Sequence, residues 1–87
     1  MSEIISLDEE KLESLVERIY YHRVPDTTVT ICAITLKNGF TVVGDSACID
    51  PENFDHSIGE QVAYNNAFGK IWQLEGYRIK SQLAEKA

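Results

Sequence analysis

An α+β fold is what the sequence predicts, from three observations. Residues 6–24 carry a helix start followed by an apolar stripe at helical spacing. Residues 28–48 hold two β-rich runs on either side of Asn38-Gly39. Beyond Asp55 the chain returns to a helical pattern rich in small and aromatic residues. The expected order is an N-terminal helix, an antiparallel β-hairpin with an Asn-Gly turn, a long C-terminal helix and a final short helical segment. At 87 residues the chain has room for one domain, 1–87, with one core.

The first helix has a clear start signal. Ser6, Leu7, Asp8 and Glu9 fit a capping box, in which Ser6 accepts from the amide three residues on and Glu9 reaches back. Acidic residues fill the first turn, and Arg18, His22 and Arg23 lie near the expected end, which suits the helix dipole. Leu12, Leu15, Val16 and Ile19 make the stripe, and Pro25 terminates it.

TVTICAITLK and FTVVGDSA form the hairpin, with Asn38-Gly39 as the pair that a two-residue type I′ turn prefers. That turn pairs Lys37 with Phe40 and places Cys32 opposite Asp45. One face then carries Cys32, Ile34, Leu36 and Val43; the other carries Val29, Ile31, Ala33, Phe40 and Val42. Both faces are apolar, so both require a cover. The chain's helices cover one, and a second copy is expected on the other, giving a homo-oligomer. The competing arrangement is a compact monomer with a helix on each face.

Asp50-Pro51 reads as an N-cap followed by proline, opening a short turn at 51–54. A longer helix follows from Asp55 or Ser57 to Trp72. Within it Gly59, Ala63 and Ala67 recur every four residues, which lets another backbone approach closely. Gly76 marks an expected break before a last segment, 77–84.

Charge and motifs exclude several classes of function. Net charge is −6, which disfavours non-specific binding of long nucleic acids. No apolar run is long enough to span a bilayer, and the acidic start is unlike a signal peptide, so a cytoplasmic location is expected. Residues 1–60 hold twelve acidic against four basic side chains, whereas residues 61–87 hold two against four. Cys32 and Cys48 fall on opposite faces in the expected register, about 10 Å apart along the strands, too far for a disulfide. Two Cys and two His are scattered without ligand spacing, so no metal and no cofactor are expected. Cys48, His56 and Asp50 or Asp55 lack the spacing of a nucleophile, base and orienter. Ser46 lacks the second glycine of a nucleophile elbow. The expectation is a protein that is not an enzyme.

One cluster combines aromatic faces, amides and cations: Tyr64, Asn65, Asn66, Lys70, Trp72, Tyr77, Arg78 and Lys80. Rings stack on bases, amides read base edges and cations meet phosphate. Tyr64, Asn65, Asn66, Lys70, Tyr77, Arg78 and Lys80 are therefore the candidate ligand-binding residues. The plainer reading makes Tyr64 and Trp72 core and the cations a solvated helix face.

The stretch TICAITLKNGFTVVGDSACIDPENFD, followed by IG, AYNNA, KIW and LEGY, resembles a small phage-protein family. That family is named for gene 66 of Shigella phage Sf6 and gene product 49 of a coliphage. The resemblance covers roughly 28–79, about three-fifths of the chain. Gln73 stands where the resemblance leads us to expect a proline, so a bend after Trp72 is left open. The resemblance carries no catalytic assignment. It implies a phage or prophage accessory protein made in the host cytoplasm. More loosely, the size and hairpin-plus-helix plan are similar to phage sponge proteins, oligomers that sequester nucleotide signals of host defence systems. Together these lead to a counter-defence protein holding a cyclic-nucleotide or cyclic ADP-ribose type signal between subunits. The alternatives are an inhibitor that meets a host protein through an acidic surface, and a structural accessory without a ligand.

Overall fold

The computed structural model describes residues 8–48, 52 and 55–86. A short helix α1 (Glu9–Glu13) leads into three strands, β1 (Val16–Arg23), β2 (Val29–Leu36) and β3 (Thr41–Ala47), and then a long helix α2 (His56–Glu85). The strands form one antiparallel sheet in the order β1-β2-β3. The fold is α+β, as the pattern predicts, but with a third strand where helix was expected.

That strand is the main correction. α1 is a single turn and a half, capped by Asp8, whose side chain accepts from the Lys11 amide at 2.8 Å. Ser6, expected to cap it, lies outside the described residues. The following residues, VERIYYHR, are dominated by β-branched and aromatic side chains that fit a pleated surface better than a helix. Pairing along the free side of β2 satisfies the backbone groups of the even-numbered residues among them. Three members of the helical stripe still reach the core: Leu12 is fully buried, and Leu15 and Val16 pack partly against it. Pro25 does not stop a helix. It opens a turn in which the Thr27 amide donates to the Val24 carbonyl and Asp26 sits at φ 63°. Proline at the second position and positive φ at the third make a type II geometry.

The β2–β3 hairpin is closed by a three-residue loop, not a two-residue one. The Gly39 amide donates to Leu36 C=O, and the Leu36 amide donates to Phe40 C=O, both at 2.8 Å. Gly39 alone in this loop has positive φ, 91°, which fits a type I turn followed by a glycine bulge. The register therefore pairs Thr35 with Thr41 and Cys32 with Gly44, one residue away from the expected alignment. A one-residue slip exchanges the faces of β3. Val42 and Gly44 turn to the core, and Val43 and Asp45 turn to the opposite face. The physical reason is plain: the expected register would have driven the Asp45 carboxylate into the core.

Helix α2 runs antiparallel to β3 and covers β2 and β3. Gly44 is the contact point. A Cβ built there would lie 2.2 Å from the Ala67 nitrogen and 2.5 Å from the Ala63 carbonyl oxygen. The Ser46 hydroxyl donates to the Gly59 carbonyl at 2.7 Å one pleat along. So the Gly59, Ala63, Ala67 repeat does admit another backbone, and that backbone is the chain's own β3. The core is Leu12, Cys32, Ile34, Val42, Ala63, Ala67, Phe68 and Ile71.

Asp55 caps α2, its carboxylate accepting from the Ser57 amide at 2.9 Å and from the Ser57 hydroxyl at 2.7 Å. The expected cap Asp50 and the turn at 51–54, Glu52 apart, lie outside the described residues. The helix passes Gln73 and Gly76 without interruption to Glu85, so the expected separate last segment does not form and the chain is unbroken after Trp72. Thirty residues make a rod of about 45 Å, longer than the sheet beneath it. Its end overhangs the hairpin tip, and the described molecule measures 57 × 22 × 19 Å.

Neither cysteine forms a disulfide. The amide of Cys48 donates to Thr28 C=O, so Cys48 lies opposite Thr28 and on the same side of the ladder as Cys32, not the opposite one. Four residues of strand, about 13 Å, separate them. Burial pushes the Cys32 thiol up, opposed in part by its hydrogen bond with Tyr21. Burial also pushes up the phenols of Tyr21 and Tyr64; for Tyr64, the Glu13 and Glu9 carboxylates of α1 add to it.

Two expectations follow from this packing. Gly44→Ala should cost about 3 kcal/mol, because backbone on both sides must shift. Gly76→Ala, with open space around it, should stabilise by about 0.5–1 kcal/mol. Urea unfolding of the two variants measures both, and equal midpoints would refute the close-approach argument. The raised thiol and phenol values predict alkaline sensitivity. A group whose folded pKa lies above its ordinary value stabilises fully below that value and loses the contribution as pH rises through the folded one. The melting temperature should therefore fall above about pH 9, from the ordinary thiol and phenol values of 9.0 and 10.0 upward. A thiol reagent at pH 8 should label half-buried Cys48 well before fully buried Cys32.

Candidate functional site

The candidate residues on α2 do not converge. From Tyr64 to Lys80 the helix advances about 24 Å, and the side chains leave it in different directions. Tyr64 turns to the core side and stacks on Phe68, with ring centroids 5.4 Å apart. Asn65 faces solvent and accepts from Gln61 at 3.0 Å. Arg78 is engaged with Glu75 at 2.6 Å, one turn back on the same helix.

Asn66 and Lys70 have structural work at the sheet. In the observed register Val43 and Asp45 point their carbonyls outward, away from β2. The Asn66 amide donates to the Asp45 carbonyl at 2.7 Å, and the Lys70 ammonium donates to the Val43 carbonyl at 2.5 Å. These two side chains seal the outer edge of β3. Tyr77, 76% exposed, and Lys80 lie on the overhang, in line with Asn66 and Lys70 along the helix. Trp72 is also exposed. A shallow groove of about 460 Å³ between Phe40, Val43, Lys70, Gln73 and Leu74 follows that line.

A second groove, about 220 Å³, brings together Ser46, Cys48 and Asp55 with Ile58 and Val62. It holds two of the residues considered as a nucleophile set. Asp50 and the side chain of His56 lie outside the described residues. The Asp55 carboxylate is occupied in capping α2, and the Ser46 hydroxyl in holding the helix to β3. Among the described residues no three of His, Cys, Asp or Glu come together as a group fit for a metal. Among them, too, no helix is long and apolar enough to cross a membrane.

The surface that sequence reasoning missed is the sheet face turned away from α2. There β1 contributes Arg18, Tyr20 and His22, which pair with Thr35, Ala33 and Ile31 of β2. The rings of Tyr20 and His22 stack nearly parallel, 8° between planes with centroids 6.5 Å apart. Tyr20 is 62% exposed, and Val43, Asp45 and Ala47 of β3 continue the face. Among the described residues no element packs on it. The signal that reveals it is alternation: cationic or aromatic residues at 18, 20 and 22, legible once the segment is taken as a strand.

No curated protein and no solved structure matches the chain. A family model does match, across residues 7–83, reaching beyond the stretch that carries the sequence resemblance and taking in all three strands and most of α2. This chain belongs to the phage protein (N4 Gp49/phage Sf6 gene 66) family.

Proposed function

We propose that this phage protein is a non-enzymatic counter-defence protein that sequesters a small nucleotide-type signal of host immunity, and that it does so as a homo-oligomer. The observation that carries the reading is the open sheet face. On a chain of net charge −6 it sets Arg18 beside two stacked, exposed rings, Tyr20 and His22, over an apolar floor of Ile31, Ala33 and Val43. Rings of this kind stack on a base, and a guanidinium holds two phosphate oxygens at once. The α2 cluster has a lesser part in this reading, since Asn66, Lys70 and Arg78 already serve the protein's own carbonyls and carboxylate.

The oligomer is supported by the number of large apolar side chains left in solvent, among them Tyr20, Phe40, Val43 and Tyr77. A second reading has one observation in its favour. Asp8, Glu9, Glu10 and Glu13 make an exposed acidic end at α1, the kind of surface that meets a basic patch on a host protein.

Calorimetric titration with cyclic dinucleotides, cyclic trinucleotides and cyclic ADP-ribose isomers tests the ligand. At least one should bind with a Kd well below 100 µM. Tyr20→Ala and Arg18→Glu should each weaken it at least tenfold with little change in melting temperature, because both side chains are exposed. If no member of the panel binds tighter than about 100 µM, roughly 5–6 kcal/mol, the sponge reading fails and the acidic-surface inhibitor replaces it.

A further inference from the structure

The two edges of the sheet are treated differently. On β3 the outward carbonyls of Val43 and Asp45 are taken by Lys70 and Asn66. On β1 nothing comparable is present among the described residues. The Val24 amide donates to Val29 C=O, so the even-numbered residues of β1 face β2. Ile19 and Tyr21 therefore turn their N–H and C=O groups outward. The strand is eight residues, about 27 Å, long and contains neither proline nor lysine; its one bulge, at Glu17, lies at the start and leaves residues 18–23 in regular register. Its helix-side residues at that edge, Ile19 and Tyr21, are 42% and 36% exposed because α2 covers only β2 and β3.

We infer that β1 pairs antiparallel with β1 of a second copy about a two-fold axis at Tyr20, joining two three-stranded sheets into one of six strands. Charge order selects the second copy and its direction. The strand follows the acidic α1, carries Glu17 next to its first residue, Arg18 after it, and ends with His22 and Arg23. Antiparallel pairing lays the acidic start of each copy over the basic end of the other, whereas parallel pairing sets like against like. Centring the axis on Tyr20 matches Ile19 with Tyr21 in hydrogen-bonded pairs and brings the bulge residue Glu17 alongside Arg23. Centring it on Tyr21 leaves Glu17 without a partner and sets Ile19 against Arg23.

This pairing rests on the proposed function and completes its site. Within one copy Arg18 and His22 are four residues, about 13 Å, apart. Across the axis Arg18 stands opposite His22 of the second copy in a non-hydrogen-bonded pair, Cα atoms about 4.5 Å apart. The two Tyr20 rings meet at the centre. Two guanidinium groups, each beside an imidazole ring and flanking the two phenol rings, fit a ligand with two separated phosphate groups, and that arrangement exists only in the dimer.

The test is made without any ligand, so the edge pairing stands or falls separately from the sponge reading. In a Cys32→Ala, Cys48→Ala background, Tyr20→Cys should oxidise to a disulfide-linked dimer, because residues facing across such a pair lie within bonding range. Tyr21→Cys should not. Ile19→Lys, which leaves the backbone intact and places a charge at the edge, should halve the light-scattering mass relative to the parent while the circular dichroism spectrum is unchanged. A parent mass of one chain overturns both the pairing and the oligomer. A parent dimer in which Tyr20→Cys stays unlinked, or Ile19→Lys keeps the full mass, overturns the pairing alone.

Discussion

The structure depends on one contact, the meeting of two backbones where β3 crosses α2. Gly44 offers no side chain, Ala63 and Ala67 offer only methyl groups, and the helix settles against the strand itself. Because the helix lies that close, Asn66 and Lys70 reach over the edge of β3 to its outward carbonyls, and Ser46 reaches the Gly59 carbonyl. The same contact sets the hairpin register. Gly44 must face the helix, so Val42 goes in with Ile34, and Asp45 stays in solvent. A larger residue at 44 would lift the helix off the sheet and open the seal with it.

Closeness at β3 has a consequence at the other side of the sheet. A helix seated over β2 and β3 leaves β1 half covered: Tyr21 reaches in to Cys32, yet Tyr21 and Ile19 both keep more than a third of their surface in solvent. The molecule thus has a sealed edge and an open one, a packed face and a bare one. The bare face carries Arg18, Tyr20 and His22, the chain's one alignment of cation and stacked rings on a rigid element among the described residues. A protein so acidic gathers an anion only where its few cations are held by structure. On a strand they are held, while on the α2 overhang Lys80 and Tyr77 have only the helix behind them.

Much of this was legible in the chain. The β2 and β3 strands announced themselves through β-branched runs, the helix α2 through its small-residue repeat, and the family through its motif string. Residues 16–23 were misread because Leu12, Leu15, Val16 and Ile19 satisfy a helical period while VERIYYHR also suits a strand. Periodicity over so short a window does not separate the two; the vacant side of β2 does, and that is a tertiary fact. The site was lost with it. Arg18, Tyr20 and His22 all share a face only in an extended chain; on a helix Arg18 and His22 would still align one turn apart, but Tyr20 would point to the opposite side. Asn66 and Lys70 looked like ligand donors for an equally local reason, since amides and ammonium groups serve a phosphate or a strand carbonyl alike.

What the sequence by itself determined is composition-level and local: one small α+β domain, no motif of catalysis, strands where β-branched residues cluster, and glycines at the β2–β3 loop and at the strand–helix contact. Tertiary structure decided what local patterns leave degenerate. It chose a three-residue loop over a two-residue turn, because only that register keeps Asp45 out of the core. It carried α2 straight through Gly76, because nothing packs there to break it. And it made β1 a strand, because residues 16–23 meet the backbone groups along the free side of β2 only in extended form.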